Sequence, residues 1–501
     1  MVNMRVRFWS STEYSGFLAG LMRELRAAGF EAKQCYQISE ASYRSAKSAP
    51  ARLFLRFRQY VLYPMMLCIR LLGRGVRRSK CGKVVKSGRS TSSANIVNQN
   101  SSDLNTFAPA HSSRESAPSD LPTLIPSHSS NDVCVVSTNT FYAPLLATYL
   151  HPNVVHLVYD LFPEAMIHSG KWTEGTLKVK LVRWITKQTL KRATTNVFLG
   201  ERLKDYVESI HGSVANAAII AVGADHALFP VSPMKRVGRA EEGDLRPEGQ
   251  GRLEVKRPEV GDLRSDRVKR CAHATTGEGT EPEELTSHQS IFTTQSSPTI
   301  LYCGNFGNMH DSETLFSLWR DYAQRTETRG QESEDLTFPL SNLPTFHFCC
   351  SGPKRAALET ELAQLPAVLQ QQIHLGRGLD QAEWIATMES ADVALVTMVP
   401  GSETVVMPSK TYSAMMAGQA ILAIAPEDSD LVDLIKAADC GWWVAPGDVA
   451  GLAEVIEALS ADPEGLLEKR ENAFQYAHQH LGQDALAKDW TRALRASDGC
   501  A

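Results

Sequence analysis

Short apolar runs that do not alternate with polar residues recur through the C-terminal part of this chain. They are Thr299 to Cys303, Thr345 to Cys350, Ile373 to Leu375, Asp392 to Met398, Ala420 to Ala425 and Gly441 to Val444. Runs of this kind belong to strands covered on both faces, which means a parallel sheet. Helical periodicity fills the gaps between them. Leu315, Leu318, Trp319 and Tyr322 repeat at helical spacing, as do Leu358, Leu362 and Leu365, and later Leu452, Val455, Ile456 and Leu459. Asp380 and Glu383 have the spacing of a capping box ahead of Trp384. Strands alternating with helices predict a doubly wound α/β domain.

The N-terminal part repeats the theme. Val6 to Trp9, Val133 to Ser137, Val154 to Tyr159, Asn196 to Leu199 and Ile219 to Val222 are predicted strands, and Phe17, Leu18, Leu21, Met22 and Leu25 a first helix ending near Gly29. At 501 residues the chain has room for two such cores without disulfides or a structural metal. Ten cysteines without a C-x-x-C pair fit a reduced, cytosolic setting. The histidines are not spaced as metal ligands, so no metal and no cofactor is expected. Met4 to Trp9 reads as a strand rather than a leader, and no apolar run reaches the ~18 residues that span a bilayer.

Two stretches break the pattern. Ser87 to Asn131 is rich in Ser, Asn and Pro. Val231 to Pro298 carries twelve acids and eleven bases among Gly and Pro. The expected organisation is a first domain over 1–230, with a basic segment at 41–86 and an insertion at 87–131. A low-complexity linker follows over 231–298, then a second domain over 299–482. A C-terminal helix over 483–501 is expected to pack back on the first domain.

Charge is uneven. The net charge is −4, yet between Ala41 and Ser102 there are thirteen Lys or Arg and no Asp or Glu. Arg52 to Leu72 mixes arginines with Leu, Phe, Tyr and Met, and its uncharged part, Gln59 to Ile69, is too short to span. Such a segment suits a core helix with a basic end or, as the absence of acids favours, the surface of an anionic membrane. No nucleic-acid recognition motif accompanies it.

Ligands of doubly wound sheets sit outside the carboxyl ends of the strands. Four loops there are candidates. Gly304, Asn305, Phe306 and Gly307 either form a tight turn or let backbone N–H groups approach an anion. Lys354 and Arg355 are either a solvated first turn or cations awaiting an anion. Gly376 and Arg377 either turn the chain or expose backbone to a flat ring. Pro408, Ser409 and Lys410 open a helix that Gly418 closes, and an ammonium there suits a diphosphate whose departing charge must be neutralised. In the first domain, Asp160 at a strand end either caps a helix or orients an acceptor hydroxyl.

Several of these residues together resemble the retaining glycosyltransferases of family 4, in their WbuB-like O-antigen and capsule branch. The matches are Tyr159 to Glu164, Val222 to Asp225 with Leu228 to Pro230, and Leu301 to Asn305. They continue with Ser351 to Pro353, Ala391 to Val396, and Pro408 through Gly418. The resemblance implies the GT-B fold, two Rossmann-like domains facing across a cleft. It implies a nucleotide-diphosphate-sugar donor held by the second domain at Gly304 to Gly307, Lys354, Arg355, Gly376, Arg377, Pro408, Ser409, Tyr412 and Ser413. A polyprenyl-diphosphate-linked or saccharide acceptor would enter from the first domain beside Ser15, Gly16 and Glu164. Asp160 and Lys410 would act in transfer. It departs from the family pattern where two glutamates are usual, at Val405 and Ser413. The reading is a peripheral enzyme of surface polysaccharide assembly on the cytoplasmic face of the plasma membrane. Its rivals are a GT-B sugar-nucleotide epimerase and a catalytically silent scaffold.

Overall fold

The computed structural model describes residues 4–12, 17–39, 42, 48–71, 132–138, 140–241, 297–328 and 343–496. The insertion expected at 87–131 lies outside the described residues, as does the linker from 242 to 296.

The chain folds into two parallel six-stranded sheets flanked by helices. The first is built from β1 (Arg5–Thr12), β2 (Glu31–Ile38), β3 (Asp132–Ser137), β4 (Val154–Val158), β5 (Thr195–Phe198) and β6 (Ala217–Ile219), in the order β2-β1-β3-β4-β5-β6. The second contains β7 (Thr299–Asn305), β8 (Thr345–Ser351), β9 (Ile373–Gly376), β10 (Val393–Thr397), β11 (Ala420–Ile424) and β12 (Gly441–Val444), in the order β12-β11-β10-β7-β8-β9. All five residues of β10 and of β11 are buried, which is why their sequences run apolar without alternation. β2 was not among the predicted strands. It lies at the sheet edge and reads EAKQCYQI, half polar, so it lacks the apolar signature.

Helices of the first unit are α1 (Phe17–Ala27), α2 (Ala49–Phe57), α3 (Tyr63–Leu71), α4 (Ala143–Leu150), α5 (Glu164–His168), α6 (Leu177–Arg192) and α7 (Glu201–His211). A π turn at Arg58–Leu62 joins α2 to α3. Tyr63, Leu67 and Leu71 of α3 pack with Trp9, Val136 and Ala147 on one face of the sheet. Leu18, Leu21 and Leu25 of α1 pack on the other.

Residues 231–241 were expected to be linker. Instead α8 (Pro233–Glu241) docks on the second unit, where Arg236 donates to the Glu389 and Ala417 carbonyls. Gly418 has φ +75°, and a Cβ there would sit 2.4 Å from Pro233 Cγ, so glycine both ends its helix and admits α8. The second unit carries α9 (Glu313–Thr328), α10 (Arg355–Gln364), α11 (Gln381–Ser390), α12 (Lys410–Met416), α13 (Asp430–Ala438), α14 (Val449–Ala461) and α15 (Pro463–Tyr476). Asp380 and Glu383 form the expected capping box at the start of α11.

The chain then returns to the first unit. Ala224 N donates to Leu481 O at 3.0 Å. α16 (Gln483–Ala496) lies on α1, with Trp490 edge-on to Phe8 at 5.4 Å. One apolar cluster runs from Phe198, Leu203 and Val207 through Phe229 to Met415, Ala423 and Ile435, so the two units share a core.

Candidate active site

Strand order locates the site. In the second sheet, β8 and β9 lie to one side of β7, while β10, β11 and β12 lie to the other. Crossovers therefore diverge between β7 and β10, and a crevice opens at their carboxyl ends. The loops that follow these strands are stitched together there. Val399 N donates to Met309 O at 3.0 Å, and His310 Nδ1 donates to Thr397 O at 2.8 Å. Lys354 Nζ donates to His310 O.

Lys410 lies at this crevice in an unusual state. Its Nζ is buried, has no hydrogen-bond partner among the described residues, and sits 3.7 Å from the centre of the Tyr302 ring. Burial pushes its pKa down to about 7. The same ammonium contributes, after burial, to holding His310 down at about 3. His310 is thus neutral, and its bond to the Thr397 carbonyl fixes the proton on Nδ1. Burial also lowers Lys354 and raises Tyr302, whose hydroxyl donates to Asn305 O at 2.9 Å. Next to Lys410 is a small cavity lined by Leu301, Cys303, Trp384, Ser413 and Gln419. Gln419 Oε1 is likewise buried without a partner.

A buried ammonium resting on a π face is held by a weak attraction, roughly 1–2 kcal/mol, while its desolvation is larger. An anion entering the crevice would relieve that imbalance. Glu403, seven residues before Lys410, adds a buried Oε2 with no hydrogen-bond partner among the described residues. Its loop reaches the first unit, where a Cβ on Gly401 would lie 3.6 Å from His168 Nδ1.

Across the gap, the first sheet has its own divergence between β1 and β3. Thr138 Oγ1, after β3, accepts from the backbone N–H groups of Tyr159 and Asp160 at 3.1 and 3.2 Å. This holds the turn after β4. Asp160 does not cap α5, whose N-cap position is Pro163. Burial raises the Asp160 pKa.

Other expected site residues are engaged elsewhere. Phe306 is buried in the core with its ring 4.9 Å from that of Tyr302, because an aromatic side chain gains more from packing than from the crevice. Arg355 donates to the Cys350 and Gly376 carbonyls, tying β8 to β9, and Gly376 serves that contact. Arg377 is 72% exposed and paired with Glu383. Glu164 is 1% exposed and bonded to Arg183 at 2.7 Å. Pro408 and Tyr412 are buried, whereas Ser409 and Asn305 are exposed and Ser413 lines the Lys410 cavity. Gly304 has φ +130°, and Gly307 is buried against Asn305. Val405 is buried in the core under its loop. Ser15 and Gly16 lie outside the described residues. The structure thus brings Lys410, Lys354, Gly304 and Ser413 to one crevice and adds Tyr302 and His310, which the sequence reading did not single out.

Among the described residues, no group of three His, Cys, Asp or Glu is placed to hold a metal, and no helix is long and apolar enough to cross a membrane.

No family model matches the chain. Over 106 residues it is 33% identical to a probable glycosyltransferase of Pseudomonas aeruginosa, WbjE. That stretch is 21% of this chain and 24% of the relative, so it spans about a quarter of the relative's length. The architecture is that of GT-B glycosyltransferases. Anabaena HepE in complex with UDP and glucose superposes with a TM-score of 0.55 at 10% identity, over 99% of this chain and 100% of that one. An E. coli trehalose-6-phosphate structure bound with UDP-2-fluoro glucose superposes with a TM-score of 0.50 at 9% identity, over 98% and 99% of the two chains.

Proposed function

We propose that this chain is a retaining glycosyltransferase. It takes a sugar from a nucleotide-diphosphate donor and passes it to a polyprenyl-diphosphate-linked or saccharide acceptor in surface polysaccharide assembly. The observation that carries this reading is Lys410, a buried ammonium without an anionic partner among the described residues where the crossovers of the second sheet diverge. A diphosphate supplies the missing charge, and charge on it grows as the glycosidic bond to the sugar breaks. Lys354, a second cation on the same loop cluster, shares that role. HepE and the E. coli structure carry UDP or a UDP-sugar, which makes a uridine donor the first to try.

The acceptor approaches from the first unit. Asp160, raised by burial, orients the acceptor hydroxyl. The departing diphosphate itself helps take the proton, so transfer with retention needs no protein nucleophile. Exposed Leu53, Phe54 and Phe57 on α2, with Arg52 and Arg56, hold the enzyme at the cytoplasmic face of the membrane, where a lipid-linked acceptor resides.

The absence of carboxylates at Val405 and Ser413 favours one alternative, a sugar-nucleotide-binding scaffold without turnover. A thermal-shift screen of UDP-, GDP-, dTDP- and CMP-sugars, followed by transfer assays, separates the two. Stabilisation by one donor together with transfer supports the enzyme. Stabilisation without hydrolysis or transfer supports the scaffold, and no stabilisation by any donor removes both.

A further inference from the structure

Helix α6 carries apolar side chains on its solvent face as well as on its buried one. Its inward face is Val179, Val182, Thr186, Thr189 and Leu190, all buried. Its outward face carries Leu177, Leu181 and Trp184, which are 84%, 57% and 52% exposed. These three fall at i, i+4 and i+7, so they form one stripe. Lys180, Lys187 and Lys191 lie along the same side and are exposed. The helix holds six Lys or Arg and no acid. Arg183 is neutralised by Glu164 and Glu174, but none of the three lysines has an ion pair among the described residues.

The position of this stripe matters. α3 packs on α4 and α4 on α6, so α6 shares one side of the first sheet with α3 and with the exposed α2 that leads into it. α6 runs from the carboxyl end of β4 back to the amino end of β5. Leu177, Leu181 and Trp184 therefore lie on the half nearer the cleft, beside α5, to which Arg183 ties it.

We propose that the outward face of α6 is a second lipid-contacting surface, which seats the cleft mouth on an anionic membrane together with α2. Charge decides the occupant. Residues 74–89 contain seven Lys or Arg and no acid, so that segment of the chain is repelled by the lysines of α6. A second copy paired face to face would oppose lysine to lysine. Anionic headgroups meet the lysines, while Leu177, Leu181 and Trp184 enter the boundary of the acyl region, as interfacial helices do. This inference rests on the proposed function only for its purpose, delivery of a lipid-linked acceptor.

The test uses the full chain and vesicles of phosphatidylcholine with and without phosphatidylglycerol. At about 1 kcal/mol per basic residue, the combined variant Lys180→Gln, Lys187→Gln, Lys191→Gln is expected to bind anionic vesicles roughly a hundredfold more weakly. A second variant, Leu177→Ser, Leu181→Ser, Trp184→Ser, is expected to lose binding while its charge is intact. All six side chains are exposed, so both variants should fold and keep the wild-type response to sugar nucleotides. Binding equal to wild type in either variant overturns the proposal. So does a wild-type dimer in solution that either variant dissolves. Loss of the sugar-nucleotide response in the wild type would instead strike the proposed function and leave the lipid result standing.

Discussion

Glu164 in the first unit and Lys410 in the second are both buried charges near the cleft, yet their surroundings differ. Glu164 has Arg183 at 2.7 Å, and Arg183 is held in turn by Glu174. Among the described residues Lys410 Nζ has no hydrogen-bond partner and rests on the face of Tyr302. The first arrangement pairs the carboxylate with a guanidinium through Oε1 and ties α5 to α6, although Glu164 Oε2 has no hydrogen-bond partner among the described residues. The second leaves an ammonium desolvated with only a weak π attraction to offset the cost, and buried, perturbed charges of this kind cluster at functional sites. A buried charge therefore reads as structural or functional according to what its own fold supplies.

The largest effect expected from this contrast is at Lys410. Lys410→Met should lower transfer by roughly a hundredfold to a thousandfold, the range for removing one group that meets developing charge. The same variant should be more stable than wild type at about pH 6, where the native ammonium is charged and desolvated. Native Lys410 loses its proton near 7 while the unfolded chain keeps it to about 10.5, so wild-type stability rises across that window. Melting curves should show the advantage of the variant shrinking as pH rises and vanishing above the window. A stability loss at low pH would break the comparison.

Arg183→Met should behave in the opposite way. It strands Glu164, and denaturant unfolding should show a loss of about 2–3 kcal/mol, below the range for fully buried pairs because Arg183 is partly exposed. Donor affinity should be unchanged. A variant of normal stability but weakened donor binding would move Glu164 into the site.

Asp160→Asn sharpens the contrast further. Burial raises this carboxyl, so its charged form disfavours the fold as pH climbs past the ordinary carboxylate range. The amide removes that effect, and the variant should be as stable as wild type or more so at neutral pH. Its transfer rate should fall roughly tenfold or more with donor affinity kept. Full activity would remove Asp160 from acceptor handling. The smallest expected effect is Tyr302→Leu. Loss of the π face withdraws roughly 1–2 kcal/mol from the charged form of Lys410, and the alkaline limb of donor binding should move down by about one pH unit. An unmoved profile would show that the ring does not hold the ammonium.

The strand–helix alternation of both units was legible because strands buried on both faces read as plain apolar runs. β2 was not, since an edge strand tolerates Glu31, Lys33 and Gln34. The loops at strand ends were legible as places but not as contacts. Arg355 and Arg377 look equivalent in sequence, yet one clamps carbonyls and the other sits in water with Glu383. Side-chain direction at a loop depends on packing from distant elements, and no local spacing encodes it. Lys410 was legible as a cation at the start of a helix after a strand, but its resting place on Tyr302 was not, because Tyr302 is one strand residue among many. The acid-free stretch of α6 was present in the sequence, and only the burial of its opposite face shows which side chains remain outside.

The most direct test is calorimetry of UDP-glucose binding at about pH 8 in buffers of different ionisation enthalpy. At that pH most Lys410 is unprotonated in the empty protein. If the diphosphate meets this group, binding should take up most of one proton, and Lys410→Met should bind more weakly with no uptake. Equal proton uptake by wild type and variant, or binding by the wild type without any, would contradict the account.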